Sequence, residues 1–156
     1  MDVLQHIRFR MSLWLRAKLI PYSIRGKDLI PILERARPPT RSPYLGLTAR
    51  HIAKRVKRAC RNPWLMRDRP CLREGLLVYR FLAMAGYRPV LRFGVDRTTL
   101  TAASLSAHCW VEIDGKPVLN PPSPGMVEVL VYDHGSQRMP RRPANHPAVP
   151  LEGRVG

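Results

Sequence analysis

Ala107-His108-Cys109-Trp110-Val111-Glu112-Ile113-Asp114-Gly115 decides how this chain is read. β-Branched and aromatic residues run up to an Asp-Gly pair, the strongest short hairpin signal, so the stretch is a strand that turns at Asp114-Gly115 into a second strand, Lys116 to Asn120. Upstream, Cys71 follows Pro70 and opens an apolar helix-like run that reaches Ala85, with Gly86 as its stop. A helix start supplies unpaired N–H groups and partial positive charge, which favour a thiolate, and a nearby imidazole accepts the thiol proton. Cys71 and His108 are therefore the candidate nucleophile and base. Asn120, at the end of the second strand, is placed to hold the imidazole. The plainer alternative makes Cys71 a small buried hydrophobe and His108 a core histidine.

The flanking sequence extends this to an α+β domain. In the Cys71 helix, Leu72, Leu76, Tyr79, Leu82 and Met84 are apolar on more than one side, which predicts a central buried helix, and Gly75 there allows a close approach of another backbone. Arg88 to Val95 reads as a strand, Asp96 to Leu105 as a polar loop, and Met126 to Tyr132 as a further strand after Pro121-Pro122-Ser123-Pro124-Gly125. Thr48 is the expected N-cap of a helix from Ala49 to about Arg61, with Leu47 and Ile52 at the staple positions and Ile52, Val56 and Ala59 as its buried stripe. Before it, two short helices are expected, Val3 to Leu19 and Lys27 to Arg37, separated by Pro21 and Gly26. Leu4, Ile7, Met11, Trp14 and Leu15 form the first helix's packing stripe. The organisation expected is a basic helical extension and linker over 1–47, a catalytic domain over 48–132 and a Pro/Arg-rich disordered tail over 133–156.

Charge and cysteine content narrow the function. The net charge is +16, but residues 1–70 hold 17 Lys+Arg against 4 Asp+Glu, whereas 71–132 hold 6 against 5. The half with the candidate site is nearly neutral, and the basic half is something attached to it, with N-terminal helices that could serve as a docking surface. Nucleic acid is the weaker candidate, since aromatic interleaving and recognised binding motifs are missing. The first helix, basic and amphipathic, also suits peripheral contact with a membrane surface. Cys60, Cys71 and Cys109 are an odd set without metal-ligand spacing, so no disulfide framework, metal or cofactor is expected and a reducing cytoplasm fits best. By alternation Cys109 points away from the His108 face and is read as structural, while Cys60 sits among arginines that could acidify it. The apolar runs near the start are too short to span a membrane, and no small-residue cleavage site follows them.

The order of a helix with Cys, then a hairpin with His and a third polar residue, resembles the papain-like and transglutaminase-like folds. More narrowly, Pro70-Cys71-Leu72, the strand ending Phe93-Gly94-Val95 and the run from Ala107 to Gly115 are similar to the transglutaminase-like leader peptidases of lasso-peptide biosynthesis, over roughly residues 48–130. That resemblance implies N-terminal helices and a central Cys-bearing helix against a small antiparallel sheet. It implies a cysteine peptidase, with Cys71 and His108 catalytic, that cuts a ribosomally made precursor peptide. The partners it implies are a small leader-binding protein and a separate ATP-dependent cyclase. The family's third residue, an Asp, is replaced here by Asn120, whose amide oxygen can accept the imidazole N–H but brings no negative charge. Two other functions compete: a transglutaminase-like acyl transferase using the same intermediate, and a basic nucleic-acid- or leader-binding module with a vestigial site.

Overall fold

The computed structural model describes residues 3–24, 28–37, 42–61, 69–99, 106–133 and 136–138. Four helices precede one antiparallel sheet: α1 (Val3–Ile24), α2 (Leu29–Ala36), α3 (Ala49–Ala59), α4 (Pro70–Met84), then β1 (Pro89–Asp96), β2 (Ala107–Ile113), β3 (Lys116–Leu119), β4 (Met126–Asp133) and β5 (Ser136–Arg138). The strands lie in the order β3-β2-β1-β4-β5. This is the expected α+β architecture, with a fifth strand added where a disordered tail was expected: Ser136 to Arg138 pair with Asp133 to Val131. The rest of that tail, 134–135 and 139–156, lies outside the described residues, as do 38–41 of the linker and 100–105 of the polar loop.

Local chemistry accounts for the element ends. The Thr48 hydroxyl accepts from the His51 N–H at 3.3 Å, a cap that stabilises α3 by about 1 kcal/mol. Leu47 and Ile52 are both buried beside it, as the staple requires. Asp114 and Gly115 both have positive φ, 51° and 74°, the type I′ geometry whose twist matches a β-hairpin. It sets β2 against β3 so that Val111 faces Leu119.

α4 is buried on nearly every side, with Val78, Tyr79, Phe81 and Leu82 fully enclosed. Its close fit to the sheet depends on Gly75. A Cβ there would stand 3.1 Å from both Cys109 Sγ and Leu91 Cδ1, so the approach this glycine permits is by side chains of β2 and β1, not by backbone. With no side chain at 75, the start of α4 lies directly against β2.

α1 departs from expectation in two ways. It runs through Pro21, and Ser23 Oγ donates to the Leu19 carbonyl in the last turn. It also buries the other face: Phe9, Leu13, Ala17 and Ile24 are enclosed, whereas Leu4, Ile7, Met11, Trp14 and Leu15 are each more than half exposed. Phe9 meets Phe81 and Tyr44 edge-on at 5.3 and 5.5 Å, contacts that stabilise beyond area burial and fix the helix's rotation. α1 and α2 thus share one apolar core with α3, α4 and the sheet. Tyr132 of β4 donates its hydroxyl to the Leu33 carbonyl of α2 at 3.0 Å, and Arg80 of α4 donates to the Arg37 carbonyl at 2.9 Å.

Candidate active site

Arg69, just before α4, is left-handed (φ 50°), and Pro70 with its fixed φ starts the helix, so Cys71 is its second residue. Its N–H is one of the first-turn groups without a carbonyl one turn back in the helix, and the positive end of α4 lies beneath the thiol. Cys71 is half-buried. Its thiol is pulled down to about 6, chiefly by a hydrogen bond from the Cys109 thiol; burial opposes this, and the Cys109 and Leu72 backbone N–H groups and the nearby His108 reinforce it. Cys109 carries the opposite tendency: its bond to Cys71 and its burial hold its own proton on. The face of β2 that alternation assigns to Cys109 is therefore the face that meets the start of α4. Cys109 is a donor to the candidate nucleophile as well as a packed side chain.

Cys60, whose arginine neighbours suggested an acidified thiol, has its thiol pushed up to about 12 by burial. Cys71 is the one acidified thiol of the three.

His108 stands on β2 beside β3, half-buried, with the Trp110 ring stacked nearly parallel at 6.5 Å. Its Nε2 lies 3.1 Å from the backbone oxygen of Asn120. A carbonyl oxygen only accepts, so Nε2 carries the hydrogen and Nδ1 keeps its lone pair as the basic nitrogen. Asn120 is thus where the sequence places the third residue, but its main chain makes the contact, and not the side-chain oxygen expected from the sequence. The side chain turns the other way: Nδ2 donates to Glu74 Oε2 at 3.1 Å. A left-handed backbone at Asn120 (φ 48°), a conformation Asn tolerates better than most residues, aims the carbonyl at the imidazole.

Glu74, which sequence reasoning left without a role, is one turn along α4 from Cys71 and anchors this corner. The signal was present in the spacing, since residues three apart on a helix share a side. Glu112, on the His108 face of β2, accepts from the Trp110 indole at 2.8 Å and from Arg92 at 2.7 Å, and Arg92 also pairs with Glu128 of β4. These bonds fix the plane of Trp110, and through its stacking that of His108. Among the described residues there is no group of three or more His, Cys, Asp or Glu side chains able to hold a metal ion.

An acidified thiol at a helix start, beside an imidazole oriented by a fixed acceptor, can attack a carbonyl carbon and pass the proton to a leaving group. A family model described as the transglutaminase-like superfamily matches residues 12–130, from inside α1 to β4. The chain belongs to that superfamily, which includes cysteine peptidases and acyl transferases. No curated protein and no solved structure matches it. No helix among the described residues is long and apolar enough to cross a membrane.

Proposed function

We propose that this member of the transglutaminase-like superfamily is a cysteine peptidase that removes the leader from a ribosomally made precursor peptide of the lasso type, with Cys71, His108 and Asn120 as its site. The observation that carries the reading is the thiol of Cys71, acidified to about 6 beside His108. The sequence resemblance around Pro70-Cys71-Leu72 and Ala107 to Gly115 supplies the substrate class.

In the reaction, the Cys71 sulfur attacks the scissile carbonyl carbon while His108 Nδ1 holds the proton from the thiol. The oxyanion forms near the Cys71 backbone N–H at the start of α4. Collapse breaks the C–N bond, His108 gives its proton to the departing amine, and a thioester remains on Cys71. Water then adds to the thioester, with His108 taking a water proton and returning it to the thiolate as the acid product leaves. The Asn120 carbonyl keeps the ring aligned throughout and accepts from Nε2–H in both charge states of the imidazole.

A small leader-binding protein and an ATP-dependent cyclase are the expected partners. The test is to incubate the enzyme with a precursor peptide encoded beside it, with and without the leader-binding protein, and to read products by mass spectrometry. Two fragments whose masses sum to the precursor plus one water support hydrolysis. Mass adducts with added amines and no hydrolysis would reassign the chain to acyl transfer, and turnover retained in Cys71→Ala would remove the mechanism.

A further inference from the structure

Along the outer side of α3 runs a wide open trough whose opposite wall is β3 and the turn after it, Pro117 to Pro121. α3 contributes Arg50, Lys54, Lys57 and Arg58 to it, and Arg61 follows just beyond the helix; all five are exposed. Among the described residues the one acid in the lining is Glu74, whose carboxylate already accepts from Asn120. Among the described residues the ion pairs are those of Arg92 with Glu112 and Glu128 in the sheet, and neither involves these cations. Like charges three and four apart on one helix repel, so α3 holds this row at a cost that an anion in the trough would relieve.

The trough borders the candidate site without including Cys71 or His108 in its lining. Its lining includes Asn120, whose carbonyl meets His108, and Glu74, one turn from Cys71 on α4. A chain lying along α3 therefore ends beside Asn120 and Glu74, the two residues that the trough shares with the surroundings of the candidate site. From Arg50 to Arg61 the helix rises about 16 Å at ~1.5 Å per residue, the length of about five extended residues at ~3.3 Å each. Among the described residues the walls offer prolines and aliphatic stems and no Phe, Tyr or Trp on which bases could stack, which favours a peptide over single-stranded nucleic acid.

We infer that the trough between α3 and β3 is a substrate subsite for an acidic peptide segment, about five residues long, adjoining the scissile bond. The inference rests on the peptidase reading of Cys71 and adds the chemistry of the substrate. Complementary charge there raises the encounter rate and holds the segment in extended register, so it acts mainly on KM.

Affinity labelling tests it without the natural substrate. Two iodoacetylated probes, one with the electrophile before and one with it after a pentaglutamate segment, are compared with pentaglutamine counterparts, and labelling is mapped by mass spectrometry. At low ionic strength at least one glutamate probe should alkylate Cys71 about tenfold faster than its glutamine partner. The advantage should vanish in half-molar salt (~0.5 M, where screening lengths fall to a few Å) and in the Lys54→Glu/Lys57→Glu variant. Plain iodoacetamide should react equally with variant and wild type, since neither lysine touches the thiol. Equal rates for glutamate and glutamine probes would overturn the subsite. Failure of Cys71 to react even with iodoacetamide would instead sink the peptidase reading. Anisotropy of a fluorescein-labelled pentaglutamate then still reads the trough: binding lost in the double variant supports it, and no binding overturns it. Displacement of that peptide by a DNA oligonucleotide at lower concentration than by unlabelled pentaglutamate would assign the trough to nucleic acid and also overturn the proposal.

Discussion

At the scale of single residues the chemistry turns on two thiols of opposite character. Cys71 is acidified to about 6, so it is thiolate at neutral pH and regains its proton as the pH falls through that value. Its alkylation rate should rise through about pH 6 and level off above it. Cys109→Ala removes the largest cause of that acidity, so the midpoint should move upward toward the ordinary thiol range, whereas Cys109→Ser keeps a donor and should stay near 6. Iodoacetamide rates against pH decide this, and an unmoved midpoint in Cys109→Ala would assign the acidity to the helix start and His108. Asn120 invites a different test, because its contact with His108 is through the backbone. Asn120→Gly keeps both the carbonyl and the left-handed backbone, so kcat should fall less than about tenfold, while Asn120→Ala adds a conformational cost of about 1 kcal/mol. A loss of 10²-fold or more in Asn120→Gly, in the range seen when imidazole orientation is lost, would give the side chain the orienting role.

At the scale of elements, α1 shows how far a sequence can be read. It carries two apolar faces, and periodicity alone cannot say which one meets the core. Leu4, Ile7, Met11, Trp14 and Leu15 form the more continuous stripe, yet the core is built on Phe9, Leu13, Ala17 and Ile24, with Phe9 edge-on to Phe81 and Tyr44. Phe9→Ala should therefore lower unfolding free energy by about 3–5 kcal/mol, against less than about 0.5 kcal/mol for Met11→Ala, as measured by urea denaturation. α3, α4 and the β2–β3 hairpin were legible because each carries its own local signal: Thr48 as cap, Pro70 and Gly86 as limits, Asp114-Gly115 as turn. The places of Cys71 at the start of α4, His108 on β2 and Asn120 just after β3 were legible for the same reason. What stayed hidden depends on contacts between elements: the Cys109–Cys71 bond, the use of the Asn120 carbonyl in place of its amide, and the Glu74 anchor. β5 was missed because Ser136 to Arg138 has no apolar alternation and pairs only because β4 offers an edge.

For the molecule as a whole, the basic first half is part of the fold's core as well as a source of charge. Phe9, Leu13, Ile24, Ile32 and Leu33 are all buried, and at about 1.5–3 kcal/mol each they contribute on the order of 10 kcal/mol, comparable with the whole stability of a domain. Deletion of residues 1–37 should therefore abolish cooperative thermal unfolding, read by circular dichroism. A truncated chain that kept a sharp transition near the full-length midpoint would show that α3, α4 and the sheet suffice.

The order of elements along the chain also sets a schedule for synthesis. Every described α-helix precedes every strand, and α4, enclosed on nearly all sides in the finished protein, is translated before β1 begins at Pro89. Its sheet-side partners come later, and the last large one, β4, ends at Asp133. At about 5–20 residues per second, the ribosome needs roughly 2–9 s to add that stretch. During those seconds the nascent chain displays the sheet-facing side of α4 with nothing to cover it, and Cys71 has neither His108 nor Cys109 beside it. Cys71 thus gains the Cys109 bond that chiefly acidifies it, and the His108 imidazole, only when β2 arrives.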